Sequence, residues 1–307
     1  MAGKDSELDV VTGAFGYTGK YITQRLLAQG RKVRTLTGHP NRPNPLGNSV
    51  EVAPLNFDDS EELYRSLQGT ATLYNTYWVR FERGDTTFTR AVANTSKLIG
   101  AAARAGVHKI VHLSIANPSE DSTLPYYRGK ALVERAIWES GLNYAILRPT
   151  VIFGSEDILI NNIAWFLRRF PVFAIAGAGD YRLQPVFVED VADIAASLGL
   201  SEGSKVLDVV GPEIYTFRAL VELIRKAVHS RAKILHLKPR LALFSARLLG
   251  SAIGDVILTR EEIEGLMAGL LVSAAPAECQ IRFSDWLKRN ASSIGASYSS
   301  ELGRHYR

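Results

Sequence analysis

Two side chains four residues apart have the types and spacing for proton-coupled chemistry. The run Tyr126-Tyr127-Arg128-Gly129-Lys130 reads Y-x-x-x-K, and on a helix positions i and i+4 share one face. A lysine ammonium beside a phenol stabilises phenolate, which draws the tyrosine pKa down from about 10 toward the working range. Such a phenol can protonate a carbonyl that receives hydride, or take the proton in the reverse direction. Tyr127 is the rival phenol, but it stands only three residues before Lys130, so Tyr126 is the better partner.

A second group of residues is built to hold an anion. Gly13-Ala14-Phe15-Gly16-Tyr17-Thr18-Gly19 follows an apolar run, Leu8 to Val11, and opens a segment with helical spacing. Gly13 permits a tight turn, Gly16 lets backbone approach a diphosphate, and Gly19 permits close contact between helix and strand. The diphosphate then faces the positive end of a helix dipole. Three spaced glycines are weak evidence alone; placed between a strand and a helix they point to dinucleotide binding. An NAD site usually ends its second strand in an acid that holds the ribose hydroxyls and repels a 2′-phosphate. Thr35-Leu36-Thr37-Gly38-His39 has no acid, and Arg42 follows in the next loop. Missing repulsion beside a cation favours NADP over NAD, with Thr37, His39 and Arg42 near the ribose; the bland alternative for Arg42 is a solvated loop residue.

The elements that must position these residues alternate. Strands are expected at Leu8 to Val11, Val33 to Leu36, Val50 to Leu55, Thr72 to Thr76, Lys109 to Leu113 and Tyr144 to Leu147. Between them, helical spacing covers Tyr17 to Ala28, Ser60 to Leu67, Thr87 to Ala105 and Tyr127 to Ser140. Such βαβ alternation predicts a parallel sheet with helices on both faces. After residue 150 the spacing is less regular. Helices are expected at Ile158 to Arg169, Val191 to Leu198, Thr216 to Val228 and Arg260 to Leu271, with strands at Pro185 to Val188 and Val206 to Val209. Thr259 and Glu262 stand at capping-box spacing before the last of those helices. The predicted fold is α/β, a doubly wound parallel sheet of Rossmann type. Residues 1–150 form the dinucleotide-binding core; residues 151–307 add remaining strands and a smaller substrate lobe packed on it.

Composition narrows the classes. With 46% hydrophobic and 22% charged residues among 307, a disordered or collagen-like chain is excluded. The net charge of +5 is scattered, which argues against nucleic acid and mildly favours anionic small molecules. One cysteine, Cys279, allows no internal disulfide. The first eight residues carry no signal-peptide pattern, so the expected location is cytoplasmic. The apolar stretch Leu241 to Leu258 carries Arg247 and is short for a span, so a buried or amphipathic helix is expected there. The histidines, His112 and His236 among them, show no metal-ligand spacing, and no metal is expected.

The glycine turn reads T-G-A-x-G-x-x-G from Thr12 to Gly19, and in this it resembles the short-chain dehydrogenase/reductase superfamily, in particular its extended and atypical branches. That likeness implies that Tyr126 and Lys130 lie on the active-site helix, Lys130 also reaching cofactor ribose hydroxyls. It implies a third catalytic residue at Ser114, after the fifth strand. Extended members often have a hydroxyl residue one position later, where this chain has Ile115, so Ser114 is read either as the catalytic donor or as a strand-end hydroxyl. Asp58 matches a position that often contacts adenine, with a helix-start acid as the alternative. Arg148-Pro149-Thr150-Val151-Ile152-Phe153-Gly154 matches an R-P-x-x-x-F-G segment whose backbone meets the nicotinamide, which places Pro149, Thr150 and Val151 in the cofactor site. Asp190, in a V-x-D-V-A match, is read as a helix cap. Tyr77 and Trp78 lie where the family lines its cofactor pocket, with core packing as the alternative.

The chain is similar to an atypical group that includes the nucleotide-binding accessory subunit of respiratory complex I and the nitrogen-metabolite-repression regulators. Two functions follow. The first is an NAD(P)(H)-dependent oxidoreductase or epimerase-like enzyme acting on a small-molecule carbonyl or hydroxyl. The second is a non-catalytic dinucleotide-binding sensor or accessory subunit, associated with a respiratory assembly or a membrane.

Overall fold

The computed structural model describes residues 7–41 and 44–305. The chain divides into two compact units, one of Met1–Pro149 with Glu189–Asp208, the other of Thr150–Val188 with Val209–Arg307.

The first unit begins with β1 (Leu8–Thr12), α1 (Tyr17–Ala28), β2 (Lys32–Thr37), β3 (Val50–Pro54), α2 (Ser60–Leu67) and β4 (Thr70–Asn75). It continues through α3 (Phe88–Arg104), β5 (Lys109–Leu113), α4 (Pro125–Glu139) and β6 (Asn143–Pro149). The chain then makes β7 (Val151–Phe153), α5 (Leu159–Arg169), β8 (Val172–Ala176), β9 (Arg182–Leu183) and β10 (Pro185–Phe187). It returns to the first unit with α6 (Val188–Leu200) and β11 (Lys205–Val209).

Seven strands form one mostly parallel sheet in the order β11-β6-β5-β4-β1-β2-β3, a Rossmann-type α/β fold. Val10 and Val11 of β1 are fully buried, because a central parallel strand has both faces covered. The strand order reverses between β1 and β4. In open α/β sheets the crevice at such a reversal, outside the carboxyl ends of the strands, is where ligands bind. Helix α1 starts there. Its body is anchored through Arg25, whose guanidinium pairs with Glu189 at 2.8 Å and Asp193 at 2.5 Å, both on α6. At the opposite edge of β1, buried Asp9 accepts two hydrogen bonds from Arg31, at 2.7 and 2.8 Å.

Helix α4 begins two residues earlier than its apolar spacing predicts. Pro125 occupies the first turn, where a missing N–H costs nothing, so Tyr126 is helical.

The second unit is completed by β12 (Tyr215–Thr216), α7 (Phe217–Ala227), β13 (Lys233–Leu237), α8 (Pro239–Ile253), α9 (Arg260–Met267), α10 (Phe283–Asn290) and α11 (Glu301–His305). Its strands pair two by two: β7 with β10 and β8 with β13 in parallel, β9 with β12 antiparallel. Phe153, Phe283 and Trp286 stack edge-to-face and face-to-face within its core. The capping box expected at Thr259 and Glu262 is present. The stretch 241–258 is not one helix: α8 ends at Gly254, whose φ of +69° is a left-handed stop that glycine takes without strain. Among the described residues no helix is long and apolar enough to cross a membrane.

Candidate functional site

The glycine turn is shaped as its spacing requires. Gly13 has a φ of +69°, and its N–H donates to the Leu36 carbonyl at 3.0 Å, which ties the turn to the end of β2. The Gly16 N–H donates back to Gly13 oxygen at 2.8 Å. A Cβ on Gly19 would stand 2.2 Å from that same oxygen, so only hydrogen fits. Gly16 is exposed and forms the N-cap of α1; no side chain caps this end and no acid lies in its first turn. The exposed positive end of a helix, with a backbone stripped of Cβ atoms, fits a dinucleotide diphosphate. Phe15, Tyr17 and Thr18 are half-buried around it. Ala14 is buried, and its N–H is taken by Thr35 Oγ1 at 3.0 Å, so its contribution is to fix the turn.

Polar links hold the neighbouring strand ends. Thr12 Oγ1 accepts from the N–H groups of Thr76 and Tyr77, at 2.8 and 3.0 Å. It donates to Asn75 Oδ1 at 3.2 Å, and Asn75 Nδ2 lies 3.1 Å from His112 Nδ1. His112 is fully buried, and burial beside the Lys130 ammonium drives its pKa well below the usual histidine value, so it is neutral. These contacts join the carboxyl ends of β1, β4 and β5 around the crevice.

At the end of β2, Thr37 Oγ1 accepts from the His39 N–H at 3.1 Å, and His39 is exposed. Arg42 lies outside the described residues. Asp58 is exposed, and it is the next residue, Asp59, that caps α2 by accepting from the N–H groups of Glu61 and Glu62. The acid at the helix start is therefore Asp59.

On α4, Lys130 is 3% exposed. Its ammonium donates to the Leu113 carbonyl at 2.7 Å and sits 4.5 Å from the centre of the Trp78 ring. Burial pushes its pKa down to about 7, with the Glu134 carboxylate working the other way. Tyr126 is half-buried and meets the same indole edge-to-face at 5.9 Å; Phe88 meets Tyr126 at 5.7 Å. Trp78 can lie this close because α4 has glycine at 129, where a Cβ would come within 2.9 Å of the indole. Tyr127 is buried, which raises its phenol above the ordinary value and makes it a poor proton donor.

Ser114 is buried and its hydroxyl donates to Glu134, which is itself 1% exposed. Glu134 is paired with Arg148, whose Nε lies 3.0 and 3.2 Å from its two carboxylate oxygens. The single proton of Ser114 thus points into a buried carboxylate rather than away from the sheet. Glu134 was not singled out from the sequence, though it continues the Tyr126, Lys130 progression by one more helical turn. Pro149 oxygen accepts from the Ala116 N–H at 2.9 Å, closing the end of β6 onto the loop after β5. In the second unit, Thr150 donates to the Gln184 carbonyl, and Val151 starts β7 against Pro185.

A family model described as NAD(P)H-binding matches residues 13–158. Among solved structures, UDP-glucose 4-epimerase from Thermotoga maritima matches with a TM-score of 0.67 at 17% identity, covering 93% of this chain and 98% of that one. The triphenylmethane reductase of Citrobacter sp., solved with NADP(H), gives 0.67 at 19% identity over 92% and 99%. By sequence, the mitochondrial NADH dehydrogenase (ubiquinone) 1 alpha subcomplex subunit 9 of Arabidopsis thaliana is 25% identical over 225 residues, 70% of this chain and 56% of that protein. The chain has the Rossmann-type fold of these epimerases and reductases and matches an NAD(P)H-binding domain over residues 13–158. By fold the likeness is to a UDP-glucose epimerase and a triphenylmethane reductase, and by sequence to complex I subunits. The chain spans little more than half the length of the first of those subunits.

Proposed function

We propose that this protein is an NADP(H)-preferring oxidoreductase or epimerase-like enzyme, acting on a small-molecule carbonyl or hydroxyl with Tyr126 as its proton donor and acceptor. One observation carries the reading: Tyr126 and a deeply buried Lys130 of lowered pKa flank a single indole. When bound, the nicotinamide supplies or accepts the hydride. The amino end of α1 with Gly13, Gly16 and Gly19 holds the diphosphate. The absence of acid at Thr37 to His39 supports the preference for a 2′-phosphate.

The protein's own part is proton handling. Near pH 7 roughly half of Lys130 is neutral, since its pKa falls to about 7. A lysine poised in this way can pass a proton to the phenolate left after Tyr126 has donated. The Leu113 carbonyl fixes its ammonium, and Trp78 shields it from water.

A second reading is supported by Ser114. Its proton is directed to Glu134, so the third member of the usual constellation is occupied. Together with relatives that are complex I subunits, this favours a dinucleotide-binding accessory or sensor protein without turnover.

Calorimetry with NADPH and NADH, followed by turnover assays over ketones, quinones and nucleotide-sugars, separates the two. Enzyme function requires oxidation of NADPH that is lost in Tyr126→Phe while binding persists. Tight binding with no turnover over the whole panel selects the accessory reading, and absence of binding to either nucleotide removes both.

A further inference from the structure

Helix α8 presents its apolar side to solvent. Phe244 is 66% exposed, Leu248 65% and Leu241 53%. At 3.6 residues per turn these three lie within about 60° of one another, and Arg240 and Arg247 fall along one flank of the stripe. The opposite side of the helix is fixed: Ala242 packs with Ala176 and Ile263, and Gly250 lies so close to the following loop that a Cβ would come within 2.6 Å of the Asp255 carbonyl. The exposed stripe is therefore held outward by its own unit.

Along the chain, the charge leading into and through this helix has one sign. From Leu223 to Gly254 there are seven Lys and Arg residues and no Asp or Glu, in a chain whose whole excess is +5. Among the described residues, Arg231, Lys233, Lys238, Arg240 and Arg247 form no ion pair. Strand β13, which precedes α8, adds exposed Leu235 next to Lys233. A second copy of this chain would bring the same positive charge to the contact, which disfavours self-association through this face.

We propose that α8 lies in the interfacial plane of an anionic phospholipid membrane. Leu241, Phe244 and Leu248 enter the boundary between headgroups and acyl chains, and Arg240 and Arg247 meet lipid phosphates. A helix with an apolar stripe, a cationic flank and no acid has the chemistry of a surface-lying segment. Its 15 residues span about 22 Å at 1.5 Å each, short of the ~30 Å hydrocarbon core. The helix therefore lies on the membrane and does not cross it.

The test is flotation of the full chain with vesicles of phosphatidylcholine alone or mixed with phosphatidylglycerol, at low and high salt. The expected result is co-flotation with the anionic vesicles only, weakened by salt. Phe244→Glu with Leu248→Glu should abolish it. Arg240→Gln with Arg247→Gln should lower the partition coefficient roughly 25-fold, taking about five-fold per cation at an anionic surface. NADPH titration and circular dichroism of each variant confirm that the fold is intact. As an independent readout, Phe244→Trp should gain blue-shifted emission over the parent chain when anionic vesicles are added. Three results overturn the proposal: no flotation of the parent chain with anionic vesicles, flotation unaffected by the Phe244 and Leu248 charges, or a dimer in light scattering that those same charges dissociate.

Discussion

Replacing Lys130 with methionine should make the protein more stable at neutral pH while removing its proton chemistry. The lysine is 3% exposed, and its pKa is lowered from 10.5 to about 7. In the unfolded chain the amine holds its proton up to pH 10.5, whereas in the folded chain it releases it near 7. Folding at pH 7 therefore carries a burden of about 4 kcal/mol, from roughly 3.5 pKa units at 1.36 kcal/mol each less the half-titration at that pH. Methionine retains an unbranched stem beneath Trp78 and has no charge to desolvate. It loses the hydrogen bond to the Leu113 carbonyl, about 1 kcal/mol, and the cation–π contact with Trp78, also about 1 kcal/mol. The net expectation is a gain of about 2 kcal/mol at pH 7.

The pH dependence carries the sign of the argument. The burden is complete below the folded pKa and is relieved as pH rises toward the unfolded value. The parent chain should thus gain about 1.4 kcal/mol per pH unit from 7 upward, while Lys130→Met does not follow it. The advantage of the variant should vanish by about pH 9. Urea unfolding, followed by tryptophan emission at several pH values with the m-value checked for constancy, measures this directly. A variant that is less stable than the parent at pH 7, or a difference that does not change with pH, would refute a buried, destabilised lysine. Turnover assays on the same variant should show dinucleotide binding retained and catalysis lost.

Three further outcomes follow from contacts in the first unit. Gly19→Ala drives a methyl into the Gly13 carbonyl, 2.2 Å away, and should weaken NADPH binding in calorimetry by roughly ten-fold, the worth of one charge-assisted hydrogen bond. Glu134→Ala strands Arg148 and Ser114 and should cost about 3 kcal/mol in urea unfolding, with much of the loss recovered when Arg148→Met removes the unpaired charge. Gly199→Ala places a Cβ 1.9 Å from the buried Tyr74 hydroxyl, which has no hydrogen-bond partner among the described residues. It should cost about 1–3 kcal/mol, and adding Tyr74→Phe should restore part of this by deleting the clashing oxygen.

Some of the site was legible because its causes are local. The turn at Gly13 to Gly19 needs residues without Cβ within seven positions of one another, and the face shared by Tyr126 and Lys130 follows from helical repeat alone. The same repeat reaches Glu134, whose place on that face is legible in the spacing although its pairing with Ser114 and Arg148 is not. The role of Ser114 was open because its partner Glu134 lies on a different element, and the direction of one hydroxyl proton depends on the packing of α4 against β5 and β6. Strands β8 and β13 were missed for a related reason. They pair only with each other, 61 positions apart in register, and neither shows the flanking alternation that marks the central sheet.

From the sequence by itself came the βαβ order, the parallel sheet and the dinucleotide turn, because buried runs, helical repeat and glycine conformation act over a few residues. Tertiary structure alone decided that burial lowers the pKa of Lys130 beside Trp78, that Glu134 accepts the hydrogen bond of Ser114, and that the apolar stripe of α8 faces outward. Each of these depends on which distant surfaces meet. Desolvation and pairing are properties of an assembled environment, and a side chain carries no record of them in its own neighbours along the chain.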